Sequence, residues 1–381
     1  MRIAISTLIV RSGLSGSNES YLVNLLAGLQ AVDQENEYLL FVTPQNAPLF
    51  AVPNPRFRLI HVPRWGSRRA GRIALDQLAI PSWAKRLGAA VLHYPGTLGS
   101  AVGLRRPKQV VTVHYDIDPA HAPSVTRLKR AYYATFMRRS RETASAIVVP
   151  SHAFGRDFAA RWAMPVGKVH VVYHGVRADP GPQGHVQEGG RLLKELGLAP
   201  GYLLSITNAL PHKNVPCLLE AYAMLALRKE HPVPLVLAGD IPRGALQGWG
   251  QQLSARGVHV PLDRVILTGV LPYEKVALLY QHAGLMVTAT LTESFSMPVL
   301  EAMINRCPVV ASDLPVHREI GGQALILVTP REARGFAEAC SHVLADPVQR
   351  RAMVERGVQR AAQFSWERTA RDTMAVYRSV V

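Results

Sequence analysis

The stretch Thr292-Glu293-Ser294-Phe295-Ser296-Met297-Pro298-Val299-Leu300-Glu301-Ala302-Met303 decides how the rest of the chain reads. It follows an apolar, strand-like run at 284–290 and leads into a helix that Pro298 can open, because the first helical turn has no use for the missing N–H. A strand, a tight turn and a helix start in quick succession point backbone N–H groups and the positive end of a helix dipole at whatever lies above the turn. Glu293 is expected at the strand exit and Glu301 in the first helical turn, so both carboxylates can reach hydroxyl groups of one ligand. The amides of Phe295, Ser296 and Met297 would take that ligand's phosphates. A sugar nucleotide has this layout, with hydroxyls at both ends and a diphosphate between. Ordinary helix capping accounts for two glutamates eight residues apart equally well, and the stretch taken alone leaves both readings open.

At 381 residues the chain is long for one α/β unit and comfortable for two. It has no apolar run long enough to span a bilayer, and Met1-Arg-Ile-Ala-Ile-Ser6 reads as a first strand rather than a signal peptide, so a cytoplasmic location is expected. Cys217, Cys307 and Cys340 are too few and too scattered for a disulfide scaffold or a zinc site, and are expected as buried thiols. The net charge of +16 is unevenly spread: residues 1–175 carry 22 Lys and Arg against 9 Asp and Glu, the remainder 21 against 18. This asymmetry points to an anionic partner for the first half, either a membrane face, a phosphate-bearing acceptor or nucleic acid.

The first half alternates strand-like and helix-like segments. A strand at 2–7, a Gly/Ser loop at 12–20 and a helix at 21–29 form an anion-cradle layout, although Gly13 and Gly16 lack the dinucleotide-binding spacing. Further strands are expected at 37–43, 57–62, 90–94, 109–115, 145–151 and 168–174, giving a doubly wound, mainly parallel sheet. Gly16, His114 and His174 fall at its strand C-termini, the ligand-facing edge. Residues 177–190 show no periodicity and read as an interdomain linker. The alternation then restarts, with strands at 202–207, 234–238, 264–269, 285–290 and 308–312 and helices at 215–227, 274–283 and 299–305. The tail from Ser365 is an amphipathic helix with Trp366, Thr369, Ala370, Met374 and Tyr377 near one stripe.

Taken together these features resemble the GT-B fold of the retaining glycosyltransferases of family 4, also called glycosyltransferase group 1. The resemblance is carried by Val111-Thr-Val-His114, Ser151, Lys168-Val-His-Val-Val-Tyr-His-Gly175, Pro211-His-Lys-Asn214, Leu267-Thr-Gly-Val270, the Glu293-x7-Glu301 block and Pro308-Val-Val-Ala-Ser312. It implies two Rossmann-like α/β domains facing a central cleft: an acceptor-binding domain at 1–175, a nucleotide-sugar-binding domain at 176–364, and a helix at 365–381 crossing back to the first. It further implies that Glu301 holds the nucleotide ribose and Glu293 the transferred sugar. The backbone of Phe295, Ser296 and Met297 would hold the diphosphate and sugar, Lys213 the phosphates, and His114 the donor sugar. His114, Lys213 and Glu293 are thus the implied catalytic set. Gly16, Ser17, Asn208, His212, Leu271 and Ser294 complete the implied donor site. The sequence departs from the family pattern where His212 stands in place of an arginine, where Thr207-Asn208-Ala209 supplies no charge, and where Ser294 and Ser296 replace two glycines.

The implied enzyme is a retaining hexosyltransferase moving a mannose- or glucose-type sugar from a nucleoside-diphosphate sugar to a glycan or lipid-linked acceptor, in bacterial surface polysaccharide or lipopolysaccharide synthesis. No residue can be assigned as a far-face nucleophile. Front-face displacement is therefore expected, with no metal and no cofactor beyond the donor, and with residues 177–190 and the crossover into the final helix as hinges. Asp116-Ile-Asp118 resembles the metal-binding Asp-x-Asp of single-domain GT-A enzymes, but the Glu-x7-Glu block argues against that role. Arg127, Lys129, Arg130, Arg138, Arg139 and Arg141 lie among Tyr132, Tyr133, Phe136 and Met137, and a second basic stretch at 64–72 adjoins Trp65. Both suit peripheral contact with an anionic membrane at the inner face of the cell membrane. A solvated helix whose aromatics pack inward explains the first segment as well. The alternatives are a catalytically degenerate GT-B scaffold subunit and a basic nucleic-acid-binding protein, the latter without a recognition motif.

Overall fold

The computed structural model of the chain describes all residues except 11–15, 104, 117–126, 178–185 and 228–232. The chain divides into two compact units, Met1–Gly175 with Ser365–Val381, and Val176–Phe364.

The first unit is built on seven strands: β1 (Arg2–Ser6), β2 (Glu37–Val42), β3 (Phe57–His61), β4 (Val91–Tyr94), β5 (Lys108–Thr112), β6 (Ala146–Val149) and β7 (Val169–Val171). All pair in parallel in the order β3-β2-β1-β4-β5-β6-β7. Parallel strands need helical crossovers that cover both faces, which is why β4 and β6 are buried end to end. On one face, Tyr21, Leu25 and Leu29 of the helix Gly16–Val32 share a core with Trp366, Ala370, Met374 and Tyr377 of the C-terminal helix Trp366–Ser379. Gly28 permits that approach, since a Cβ there would stand 2.5 Å from the Trp366 carbonyl oxygen. Ser365 caps the C-terminal helix by accepting the Arg368 N–H at 3.2 Å.

The second unit carries β8 (Leu203–Ile206), β9 (Leu235–Ala238), β10 (Val265–Gly269), β11 (Leu285–Thr288), β12 (Val309–Ser312) and β13 (Leu325–Val328), parallel in the order β10-β9-β8-β11-β12-β13. The strand order reverses between β1 and β4 in one unit and between β8 and β11 in the other. At such switch points the crossovers leave in opposite directions and open a crevice beyond the strand C-termini. Cys217, Cys307 and Cys340 are free and buried.

Some expectations need correction. Residues 16–20 belong to the first helix rather than to a loop. The expected linker ends early, because Val186–Glu195 is a helix containing Gly189 and Gly190. Gly189 is there for packing: a Cβ on it would lie 2.3 Å from His282 Nε2. β13 is not among the expected strands; its four residues, Leu-Ile-Leu-Val, are too short a run to distinguish a strand from a buried helix segment.

Candidate functional site

In the second unit, the loops leaving β8 and β11 are fastened together by backbone. The turn Pro211–Lys213 ends on Asn214 in the left-handed region (φ 52°), and the Asn214 Nδ2 donates to the Ala289 carbonyl at 3.1 Å. The His212 carbonyl accepts the Leu291 N–H at 2.7 Å and the Thr290 hydroxyl at 3.0 Å. This clasp sets Lys213 Nζ 2.5 Å from Glu293 Oε1, with the two side chains 17% and 16% exposed. Glu293 lies five residues beyond the end of β11, so the loop rather than the strand exit holds it. Burial, reinforced by the neighbouring Lys213 charge, lowers the pKa of His212 and keeps it neutral.

Ser296 then turns the chain with φ 69° and ψ 60° into the helix Met297–Ile304, which has Pro298 in its first turn. A left-handed conformation costs an L-residue about 1–2 kcal/mol, which is why the resemblance leads one to expect glycine here. The Ser296 side chain does not cap the helix; its Oγ lies 3.0 Å from His317 Nε2. His317 Nδ1 lies 2.6 Å from the Ser312 carbonyl, which can only accept, so Nδ1 carries the proton and Nε2 accepts from the serine hydroxyl. Burial lowers the His317 pKa and favours this neutral form. The hydrogen bond, worth about 0.5–1.5 kcal/mol net, offsets much of the backbone cost and anchors the turn to the end of β12.

Glu301 is the fifth residue of the helix and so opens its second turn, not its first. The Tyr280 hydroxyl donates to its Oε2 at 3.3 Å. Burial raises the Glu301 carboxyl to about pKa 7. The elements thus bring together Lys213, Glu293, the Ser294-Phe295-Ser296 turn, Met297 and Glu301 at the β8/β11 switch point. Asn208 lies in the β8 exit loop, where its Oδ1 accepts the Leu210 N–H at 3.0 Å. Leu271 follows β10, two strands away from β8. Tyr280 and His317 were not legible as site residues: one sits inside a helix pattern, and the other follows the strand 308–312 with no spacing that ties it to Ser296.

In the first unit, His114 lies two residues past β5 and is buried. Its Nε2 donates to the Pro95 carbonyl at 3.1 Å, and its ring meets Tyr21 (centroids 4.4 Å) and His174 (5.2 Å) edge-on. Burial lowers its pKa to about 4, so it is neutral and keeps Nδ1 as an acceptor. Behind it, His93 bridges the Tyr377 hydroxyl (2.7 Å) and Thr112 Oγ1 (2.8 Å), tying the C-terminal helix to β4 and β5. Gly16 and Ser17 are the first residues of their helix.

Asp116 is a structural residue: it pairs with Arg141 (2.9 Å) and Arg161 (3.1 Å) and accepts the Trp162 indole N–H at 2.9 Å. Asp118 lies outside the described residues. Among the described residues, no group of three or more His, Cys, Asp or Glu could hold a metal ion. The basic helix, Arg127–Thr143, also departs from expectation. Arg141 is 2% exposed, with its guanidinium 3.5 Å from the Trp162 ring centroid, and Met137 is buried; Arg138 and Arg139 pair with Glu142. Met137 and Arg141 thus face inward in the last two turns of this helix, while the side chains of Tyr132 and Tyr133 lie outside the described residues.

Comparison with solved structures defines the fold. The glycosyltransferase WaaG, described as involved in lipopolysaccharide biosynthesis, superposes with a TM-score of 0.69 over 98% of this chain and 99% of its own, at 16% identity. The fold is GT-B. Residues 19–179 match the model of Glycosyltransferase Family 4 and residues 194–360 that of Glycosyl transferases group 1. The chain belongs to the group 1 glycosyltransferases of family 4 type. Among relatives, O-antigen chain mannosyltransferase B of Escherichia coli is 28% identical over 72% of this chain and 71% of its own length. A D-inositol 3-phosphate glycosyltransferase of Corynebacterium urealyticum is 34% identical, but over only 29% of this chain and 26% of its own.

Proposed function

We propose that this glycosyltransferase moves a hexose, first of all mannose, from a nucleoside-diphosphate sugar to a hydroxyl of a glycan or lipid-linked acceptor, with retention, in bacterial surface polysaccharide synthesis. The O-antigen mannosyltransferase relative supports the sugar and the pathway class. One observation carries the chemistry: the Lys213–Glu293 pair at 2.5 Å, set beside the N-terminus of the Glu301 helix. Lys213, the helix dipole and the turn amides would take the charge that builds on the departing diphosphate, with no metal called upon. Glu301 would hold ribose hydroxyls, while Glu293 and the neutral His114 would hold those of the transferred sugar. In front-face displacement the leaving phosphate oxygen accepts the acceptor's proton, so no protein nucleophile is required.

The test is a binding and hydrolysis screen against GDP-, UDP-, ADP- and dTDP-sugars, repeated with Glu301→Ala. One donor class that binds, loses affinity in the variant and is slowly hydrolysed is the expected result; no binding by any donor would sink the reading.

Peripheral contact with an anionic membrane at its cytoplasmic face is part of the proposal, and rests on the exposed Arg64, Arg68 and half-exposed Trp65. No helix among the described residues is long and apolar enough to cross a membrane. Failure to float with anionic vesicles at low salt would remove that part.

A further inference from the structure

Behind the Ser294-Phe295-Ser296 turn lies a buried histidine to which the chemistry above gives no task. Ser296 is the N-cap of the helix Met297–Ile304, yet it stands in the left-handed region, where a capping serine would be extended. Pro298, second in the helix, has no N–H to cap, and the Ser296 carbonyl itself accepts the Val299 N–H at 3.1 Å. The Ser296 hydroxyl, released from capping, donates instead to His317 Nε2. His317 Nδ1 donates to the Ser312 carbonyl, which accepts the Leu314 N–H as well, at 2.8 Å. Both ring nitrogens are thus engaged within the protein, and neither is left for a substrate. Whatever His317 does for the reaction passes through Ser296.

His317 is itself held from its far side. Its helix, Pro315–Gly321, ends on carbonyls gripped by Arg360, whose Nε donates to that of Ile320 at 2.9 Å and whose Nη2 donates to that of Glu319 at 2.6 Å. The same guanidinium lies 5.0 Å from the Phe364 ring centroid, and Phe364 meets the buried Phe295 edge-on at 6.1 Å. Two neighbouring residues of the turn are therefore anchored to one support: Ser296 through His317 and its helix, Phe295 through Phe364. Arg360 joins the two anchors.

What this support fixes is the direction of two backbone donors. Neither the Ser296 nor the Met297 N–H makes a hydrogen bond to an acceptor among the described residues. The φ and ψ of Ser296 lie between these two groups and alone set the angle between them. Successive N–H groups in such a turn form a concavity that suits an anion. A residue with a Cβ leaves the left-handed region readily, whereas glycine enters it without penalty. Here a side-chain bond to His317 supplies the restraint that makes a serine serve in that place.

We propose that His317 is a positioning residue for glycosyl transfer: by accepting the Ser296 hydroxyl it holds Ser296 left-handed and so keeps the Ser296 and Met297 N–H groups aimed together at the donor's diphosphate. The role rests on the nucleotide-sugar reading of the turn given above. The hydrogen-bond chain from Ser296 through His317 to Ser312 does not.

The experiment is titration calorimetry of the full chain with GDP-mannose, UDP-glucose, ADP-glucose and dTDP-glucose, the donor that binds being carried through the variants. Ser296→Ala loses the hydroxyl but keeps the Cβ, and should weaken donor binding about tenfold. Ser296→Gly loses the same hydroxyl together with the Cβ, and should bind about fivefold more tightly than Ser296→Ala. An Asn amide ends where Nδ1 lies, so His317→Asn keeps the bond to Ser312 and falls short of Ser296; a Gln amide ends where Nε2 lies and still engages the serine hydroxyl. His317→Asn should therefore bind donor about fivefold more weakly than His317→Gln, and that difference should vanish in the Ser296→Gly background. A merely structural histidine would instead make affinity follow the urea midpoints, with Asn and Gln alike. Equal affinities for Ser296→Ala and Ser296→Gly, or an Asn–Gln difference that survives in Ser296→Gly, would overturn the proposal. The Ser296 pair decides the matter if the variants at 317 fail to fold. Long-range ¹H–¹⁵N spectra of the nucleotide-free wild type should show His317 protonated at Nδ1; protonation at Nε2 alone would overturn the proposal whatever the donor does. A wild type that binds none of the four donors sinks the transfer reading and this role with it, whereas donor binding with equal Ala and Gly variants sinks the positioning role alone.

Discussion

Nucleotide-sugar binding followed as a function of pH distinguishes a Glu301 that grips ligand from one that merely packs its helix. Burial behind Tyr280 raises the Glu301 carboxyl to about 7 in the ligand-free chain, so near neutrality it is about half protonated. Ribose hydroxyls donate to the carboxylate, so binding favours the ionised form and expels a proton. With the bound-state pKa well below 6, the apparent dissociation constant scales as one plus the protonated-to-ionised ratio of the free chain. Binding is then about 11-fold weaker at pH 6 than at the high-pH plateau, about 2-fold weaker at pH 7 and within about 10% of the plateau at pH 8. The loss at pH 6 corresponds to about 1.4 kcal/mol. Burial lowers the pKa of His212 and of His317, moving both away from this window. The assay is titration calorimetry from pH 6 to 8 in buffers of different ionisation enthalpy, which reads affinity and proton release together. A nucleoside-diphosphate sugar is the ligand of choice, because its diester phosphates lack the ionisation near pH 6 that a terminal phosphate would bring. Glu301→Gln should flatten the profile. A wild-type affinity independent of pH over this range, or a slope that persists in Glu301→Gln, would refute the ribose role.

Without ligand, the same raised pKa means that the folded chain holds more protons than the unfolded one between about pH 4.5 and 7, so this group's contribution to stability falls as pH rises through that window. Glu301→Gln should therefore melt higher than wild type at pH 8 and show no such advantage at pH 4.5. Lys213→Met, with fold checked by circular dichroism, should lower turnover by about 10²–10³-fold if the lysine stabilises the leaving diphosphate; a loss below tenfold would count against it. His317→Ala leaves the Ser296 hydroxyl and the Ser312 carbonyl to find new partners and should cost about 2–4 kcal/mol in urea unfolding. Ser296→Gly, which relieves the left-handed backbone while losing one bond, should stay within about 1 kcal/mol of wild type. Gly28→Ala places a methyl 2.5 Å from the Trp366 carbonyl and should destabilise by about 1–3 kcal/mol; an unchanged urea midpoint would contradict the close helix approach.

Much of the architecture was legible because it is written in local pattern. Parallel strands buried on both faces need continuous apolar runs, and those runs, such as Val309–Ser312, stand out beside helices with a 3.6-residue period. The strand–turn–helix around Glu293 and Glu301 was legible for the same reason: Pro298 and the apolar strand before it constrain the backbone within a dozen residues. Errors fell where local composition misleads. Gly189 and Gly190 read as linker because glycine usually breaks helices, yet Gly189 is required by His282 against its helix. Arg141 read as a surface charge because arginine usually is one, yet Asp116 and Trp162 hold it inside.

By itself, then, the sequence determined two parallel α/β sheets, the ligand turn with its two glutamates, and the apolar stripe of the C-terminal helix, all of them consequences of backbone preference and side-chain period over short distances. Only the tertiary structure decided the chemistry of those residues. The Lys213–Glu293 pair spans 80 positions, Ser296 and His317 meet across 21, and Tyr280 reaches Glu301 across another 21. Burial, tautomer and pKa depend on which side chains from distant segments close around a group, and no local pattern carries that information.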